Sequence, residues 1–282
     1  MDYTTLIGAD DLRGVLGHPE LVILDARFTL DDEQWGKRVY AEGHIPGALQ
    51  ADTADHLAGP IIAGVTGRRP FPAPEDFARQ LGAWGIDERT QVVAYDADGG
   101  LMSASRVWLM LRWMGHDRVA VLDGGWQAWL AADGPVESDV RVPSPTTFSP
   151  RLRPALLADV EEVDAARRLT PTRVFDSRSA EGYHGGGVYH DPVRGHIAGA
   201  GLADRAHTVT ADKRLRSPEE LRAHYEGLIG GQDPTDVIFY CGSGITAAQN
   251  VLAMTVAGLP GSKMYVGSWS EWINDPSREV EL

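Results

Sequence analysis

The 282-residue chain carries 40 acidic against 26 basic side chains, a formal net charge of −14, with 43% hydrophobic residues and a single cysteine. So acidic a chain argues against nucleic acid or an anionic membrane surface as partner, and one cysteine excludes an intramolecular disulfide or a cysteine-based metal cluster. The length suits one large or two ordinary domains. No apolar run approaches the roughly 20 residues of a membrane span. The opening MDYTTLIGADDL has neither a basic region nor an apolar stretch behind it, so a cytoplasmic location is expected.

Short β-branched runs alternate along the chain with helical patterns. Residues 21–25 (LVILD) read as a buried strand, followed by the turn Gly43-His44-Ile45-Pro46-Gly47-Ala48. Residues 74–84 read as a helix opened by Pro74 near its first turn. Strands over 92–95 and around Val121-Leu122 follow, with a helix ending at Gly115 between them. A second helix with proline at its start spans 218–229, and 237–240 (VIFY) forms another buried strand. From Thr246 a helix runs through Val251, Leu252, Met254 and Val256 to a stop at Gly258. Strands alternating with helices predict a parallel sheet with helices on both faces.

Four blocks of the first half recur in the same order in the second. Leu24-Asp25-Ala26-Arg27 is echoed by Phe175-Asp176-Ser177-Arg178, and Gly43-His44-Ile45 by Gly195-His196-Ile197. Val92-Val93-Ala94-Tyr95-Asp96 returns as Val237-Ile238-Phe239-Tyr240-Cys241. Gly124-Gly125-Trp126 with Trp129 returns as Gly267-Ser268-Trp269 with Trp272. The chain is therefore expected to hold two copies of one α/β domain, over 1–134 and 155–282. The stretch 135–154, broken by Pro135, Pro143, Pro145, Pro150 and Pro154, is the expected linker.

The copies differ in chemistry. Cys241 stands where its strand ends and a glycine-rich turn, Gly242-Ser243-Gly244, begins. Such a turn can aim several backbone N–H groups at one point, where they and the following helix stabilise negative charge and lower a thiol's pKa. The bland alternative is a small buried hydrophobe. The counterpart in the first copy is Asp96, which offers no thiol, so that copy is expected to be non-catalytic.

The run Cys241-Gly242-Ser243-Gly244-Ile245-Thr246-Ala247 resembles the active-site loop of the rhodanese superfamily, and specifically of its 3-mercaptopyruvate sulfurtransferases, whose loop reads CGSGVTA. The resemblance covers essentially the whole chain and implies two tandem rhodanese-like domains, each a parallel sheet flanked by helices on both faces. It implies that the Cys241 thiolate takes sulfur from a small donor and holds it as a persulfide. A thiol, a thioredoxin-like protein or cyanide then removes it, with no cofactor. Ser243 would donate to the leaving group or relay its proton, while Gly242, Gly244, Ile245 and Thr246 would line the substrate.

The chain departs from that family where arginines usually hold the donor's carboxylate. Those positions fall on Gly182 and close to Tyr189 or His190, and a histidine expected from the first copy falls near Arg69, with Arg68 adjacent. Arg69, His184, His190 and Arg194 are the candidates to bind donor instead, although the two histidines also read as plain loop residues. 3-Mercaptopyruvate is the favoured donor. Thiosulfate, or a sulfur-carrier or binding role with a rebuilt donor pocket, is the alternative. A related cysteine phosphatase would need an arginine closing the loop, and Thr246-Ala247 stand there instead. Arg27 and Arg178 are expected to brace strand ends by ion pairs. His44 and His196, present in both copies, are expected to be structural, and Trp126, Trp129, Trp269 and Trp272 to be core or domain-interface residues.

Overall fold

The computed structural model describes residues 1–187 and 190–282, and the chain divides into two compact units. Unit one comprises Met1–Gly59, Phe71–Arg153 and Ala211–Arg214; unit two comprises Pro60–Pro70, Pro154–Thr210 and Leu215–Leu282.

In unit one, strands β1 (Leu6–Ile7), β2 (Leu21–Asp25), β3 (Leu49–Gln50), β4 (Gln91–Tyr95) and β5 (Val119–Leu122) form a parallel sheet in the order β1-β5-β4-β2-β3. Helices α1 (Ala9–Val15), α2 (Trp35–Glu42), α3 (Pro74–Ala83), α4 (Ser103–Trp113) and α5 (Gly125–Ala131) flank it. Every residue of β2, β4 and β5 is buried, as expected of parallel strands covered on both faces, which read as continuous apolar runs. Leu12, Ile23, Val93, Tyr95, Leu122 and Trp129 share one core cluster. The proline-rich stretch lies on this unit: the Thr146 N–H donates to the Gly82 carbonyl at 2.9 Å, and that of Arg151 to Met114 at 2.9 Å.

Unit two repeats the design. Strands β6 (Leu157–Ala158), β7 (Val174–Asp176), β9 (Gly201–Leu202), β10 (Ile238–Tyr240) and β11 (Lys263–Tyr265) run parallel in the order β6-β11-β10-β7-β9, while β8 (His196–Ile197) pairs antiparallel with β12 (Val280–Glu281). The flanking helices are α6 (Val160–Ala166), α7 (Ala180–Tyr183), α8 (Pro218–Ile229), α9 (Ala248–Val256) and α10 (Ser268–Trp272). Helix α8 starts as its sequence dictates: Pro218 opens it, and Ser217 and Glu220 close a reciprocal capping box. Helix α9 begins at Ala248, two residues later than expected from the sequence, because Thr246 and Ala247 are still in the turn.

The paired blocks do matching work in each unit. Arg27 holds the buried Asp25 carboxylate through Nε at 2.9 Å and Nη2 at 2.6 Å, and donates to the Gly43 carbonyl at 2.6 Å. Arg178 does the same for Asp176, at 3.0 and 2.6 Å, and donates to Gly195 at 2.7 Å. Their guanidinium groups lie over Trp126 and Trp269. His44 and His196 are buried, each with Nδ1 on a backbone carbonyl, Tyr40 at 2.8 Å and Tyr183 at 3.0 Å. Trp129, Trp269 and Trp272 are wholly buried, and the half-buried Trp126 packs against the first core.

Candidate active site

Cys241 follows β10 directly and its residue is 1% exposed. The turn behind it is fixed by Gly244, whose φ of +82° is left-handed and whose missing Cβ would stand 2.1 Å from the Val266 carbonyl oxygen. That turn points the Gly244 N–H at the cysteine sulfur, 3.3 Å away. Burial is the largest influence on the thiol and pushes its pKa up. Hydrogen bonds from the Thr246 hydroxyl and the Ala247 and Ser243 N–H groups, with a smaller part from Ser268, more than reverse this and leave it below the ordinary value. These donors thus ease the loss of the thiol's proton in spite of its burial.

Ser268 holds the cysteine's own backbone. Its Oγ accepts the Cys241 N–H at 3.2 Å, donates to the Tyr265 carbonyl at 2.9 Å, and lies 3.8 Å from Sγ. With one proton to give, and the carbonyl nearer, the hydroxyl acts mainly as an anchor for the strand end. Ser268 takes a left-handed φ of 55°, unusual for a residue with a Cβ; its counterpart in the first copy, Gly125, has φ 57°.

The segment 60–70, from the first half of the sequence, belongs to unit two and lies along this loop. Gly67 fits only without a side chain, since a Cβ there would come within 2.3 Å of the Gly267 carbonyl oxygen. The Arg68 N–H donates to Ser270 Oγ at 3.0 Å, and its guanidinium forms a two-point pair with Asp191, Nε to Oδ1 at 2.9 Å and Nη2 to Oδ2 at 3.0 Å. A Cβ placed on Gly242 would be 3.8 Å from Arg68 Nη2 and 3.9 Å from Arg178 Cδ, so these two arginines border the loop.

The first copy shows the same cradle filled from within. Asp96, fully buried, accepts the N–H groups of Asp98 and Gly100 at 2.8 Å, Met102 at 2.9 Å and Ala104 at 3.0 Å. Burial nevertheless wins over these bonds and pushes its carboxyl above the ordinary value. A loop of this design therefore gathers N–H groups around whatever anion sits at its centre.

Of the residues singled out from the sequence, Cys241, Ser243, Gly244 and Ile245 are buried together in the loop, with Gly242 and Thr246 half-buried. The Ser243 hydroxyl makes no hydrogen bond among the described residues. Arg69 is half-buried beside Arg68 and donates to the Arg68 carbonyl at 3.3 Å. His184, His190 and Arg194 are exposed, His184 edge-on to the Tyr183 ring. Tyr189, near one expected arginine position, lies outside the described residues. Sequence reasoning passed over Arg68 and Ser268. The first was legible only as a neighbour of Arg69, the second as the lone serine in an otherwise matched Gly-Gly-Trp and Gly-Ser-Trp pair.

A rhodanese-like domain model matches the chain twice, over residues 8–132 and 159–275. The chain is 40% identical over 281 residues to a probable 3-mercaptopyruvate sulfurtransferase of Pseudomonas aeruginosa, covering 99% of each. It is 34% identical to the thiosulfate sulfurtransferase of Cricetulus griseus, over 97% of this chain and 92% of the relative. Among solved structures it resembles 3-mercaptopyruvate sulfurtransferase from Leishmania major with a TM-score of 0.83 and 28% identity, over 95% of this chain and 74% of that one.

Proposed function

The chain belongs to the rhodanese family, as two rhodanese-like domains in tandem, and from that premise we propose that this sulfurtransferase moves sulfur from 3-mercaptopyruvate through a persulfide on Cys241. The observation that carries the reading is the environment of the sulfur: a buried thiol whose pKa is lowered by converging N–H and hydroxyl donors. A thiolate held in this way is both a nucleophile and, once it has gained a sulfur, a stabilised leaving group.

In the first half-reaction the Cys241 thiolate attacks the donor's thiol sulfur. The donor's C–S bond breaks and its electron pair goes to carbon, giving the enolate of pyruvate. The proton of the donor thiol ends on that carbon, and in this reading the Ser243 hydroxyl, which makes no hydrogen bond among the described residues, relays it. The product pair is pyruvate and a Cys241 persulfide anion, whose charge the loop N–H groups of Gly244, Ser243 and Ala247 and the Thr246 hydroxyl stabilise. Gly242 and Ile245 complete the loop. In the second half-reaction a thiolate, a thioredoxin-like protein or cyanide attacks the outer sulfur and Cys241 leaves as thiolate. With one cysteine in the chain, an external acceptor must discharge the persulfide. In this reading the enzyme works in the cytoplasm, on small anionic donors.

The test is steady-state kinetics with 3-mercaptopyruvate and with thiosulfate side by side, using cyanide as acceptor. A kcat/KM clearly favouring 3-mercaptopyruvate supports the reading. A preference for thiosulfate moves the chain to the donor named for its Cricetulus griseus relative. A persulfide that forms without turnover points to a sulfur carrier.

A further inference from the structure

We propose that Arg68 is the residue through which this enzyme recognises the anionic end of its sulfur donor. The inference rests on the sulfurtransferase reading and names a specificity determinant of that site. Both donors in question, 3-mercaptopyruvate and thiosulfate, are anions, and the thiol they must reach reacts as its thiolate. A cation beside the loop offsets the repulsion of two like charges as they approach.

Two arginines border Gly242, and their surroundings divide their roles. The Arg178 side chain is 15% exposed, and its guanidinium is engaged with the buried Asp176 carboxylate and the Gly195 carbonyl, an arrangement that Arg27 reproduces in the copy without a cysteine. That symmetry marks a brace. Arg68 is held differently: the segment that unit one takes from the second half, Ala211–Arg214, pairs Lys213 with Asp98 and Arg214 with Asp123 and Asp212. The Arg68 side chain is 34% exposed, and Nε and Nη2 are taken by Asp191, while Nη1 makes no bond among the described residues. A guanidinium fixed in its plane along one edge and open along the other is pre-organised to receive a carboxylate or a sulfonate-like oxygen.

The segment that carries Arg68 is itself pinned to the loop. Arg68 N–H on Ser270, Gly67 against the Gly267 carbonyl, and Asn274 Nδ2 donating to the Thr66 carbonyl at 3.0 Å fix the chain from Thr66 up to the arginine itself. At Gly242 the guanidinium comes close to the loop, its Nη2 3.8 Å from where a Cβ would stand. The segment thus gives unit two a cation beside the loop, whereas His184, His190 and Arg194 are exposed.

The single cysteine provides a test that does not depend on turnover: the rates at which iodoacetate, an anion, and iodoacetamide, its neutral analogue, alkylate Cys241. Removing Arg68 alone would unmask the Asp191 charge, so the informative protein is the double variant Arg68→Gln/Asp191→Asn. It should lose roughly tenfold or more in the iodoacetate-to-iodoacetamide rate ratio, the loss of one charge-assisted bond. Arg68→Lys, which keeps the charge, should retain most of the ratio. In parallel, the double variant should raise KM for 3-mercaptopyruvate far more than it lowers kcat. If its loop no longer reacts with iodoacetamide, the same ratio in a second charge-neutral pair variant, Arg68→Met/Asp191→Asn, decides. An unchanged ratio overturns the proposal while leaving the sulfurtransferase reading intact. A wild-type Cys241 inert to both reagents overturns the reactive thiol, and the proposal with it.

Discussion

Ser268 offers a test in which stability and geometry pull apart. It sits at φ 55°, where a Cβ costs about 1 to 2 kcal/mol and glycine costs none of that strain. Both Ser268→Ala and Ser268→Gly remove the hydroxyl, leaving the buried Cys241 N–H without its acceptor, a loss of about 1 to 3 kcal/mol. Only the glycine variant also relieves the backbone. Glycine's extra freedom in the unfolded chain, about 0.5 to 1 kcal/mol, takes back part of that gain. The balance leaves Ser268→Gly about 1 kcal/mol more stable than Ser268→Ala, with both below wild type. Urea unfolding followed by tryptophan fluorescence measures the midpoints, which are comparable if the slopes agree. Both variants should also lose sulfur transfer, since the anchor of the strand end is gone. If the alanine variant matched or exceeded the glycine variant, the left-handed backbone at Ser268 would be wrong, and with it the account of how Cys241 is held.

Gly244→Ala places a Cβ 2.1 Å from a backbone carbonyl oxygen at a φ of +82°, and the shift this forces at the sulfur should cut kcat/KM by about 100-fold or more in the donor assay. Thr246→Val removes a hydroxyl that helps hold the thiol below its ordinary pKa, so that pKa rises; the pH profile of iodoacetamide alkylation should move to higher pH. The rate near neutral pH should fall roughly 3- to 10-fold, the two proteins converging once the thiol of both is ionised. Asp96→Asn turns an amide NH2 toward two of the four N–H groups that the carboxylate accepts. It should destabilise the fold by about 2 kcal/mol or more, seen as a lower melting temperature, without abolishing persulfide formation at Cys241.

Much of the architecture was legible because it repeats. The paired Asp-x-Arg and Gly-His-Ile blocks appear in both halves of the chain, and the structure gives each pair the same partners: Arg27 and Arg178 on their aspartates, His44 and His196 on carbonyls. Cys241 drew attention in the sequence because it stands where a strand meets a glycine turn, and the structure finds it there, buried, with the Gly244 N–H on its sulfur. Three things were hidden for physical reasons. A left-handed φ at Ser268 is a property of the backbone that only its glycine twin in the first copy hints at. The delayed start of α9 reflects Thr246 and Ala247 serving the sulfur rather than a helix, a choice made by tertiary contacts and not by local propensity. Arg68 reaches its partners Asp191 and Ser270 across 123 and 202 residues of sequence, a distance no local pattern spans.

The central claim is that sulfur passes through Cys241, and a mass spectrum taken after a stoichiometric dose of 3-mercaptopyruvate tests it most directly. Wild-type protein should gain about 32 Da, one sulfur atom on the nucleophilic thiolate, located on the peptide containing Cys241 and discharged by cyanide. Cys241→Ser should gain nothing and transfer no sulfur. An adduct on another residue, or a serine variant that still turns over, would contradict the account.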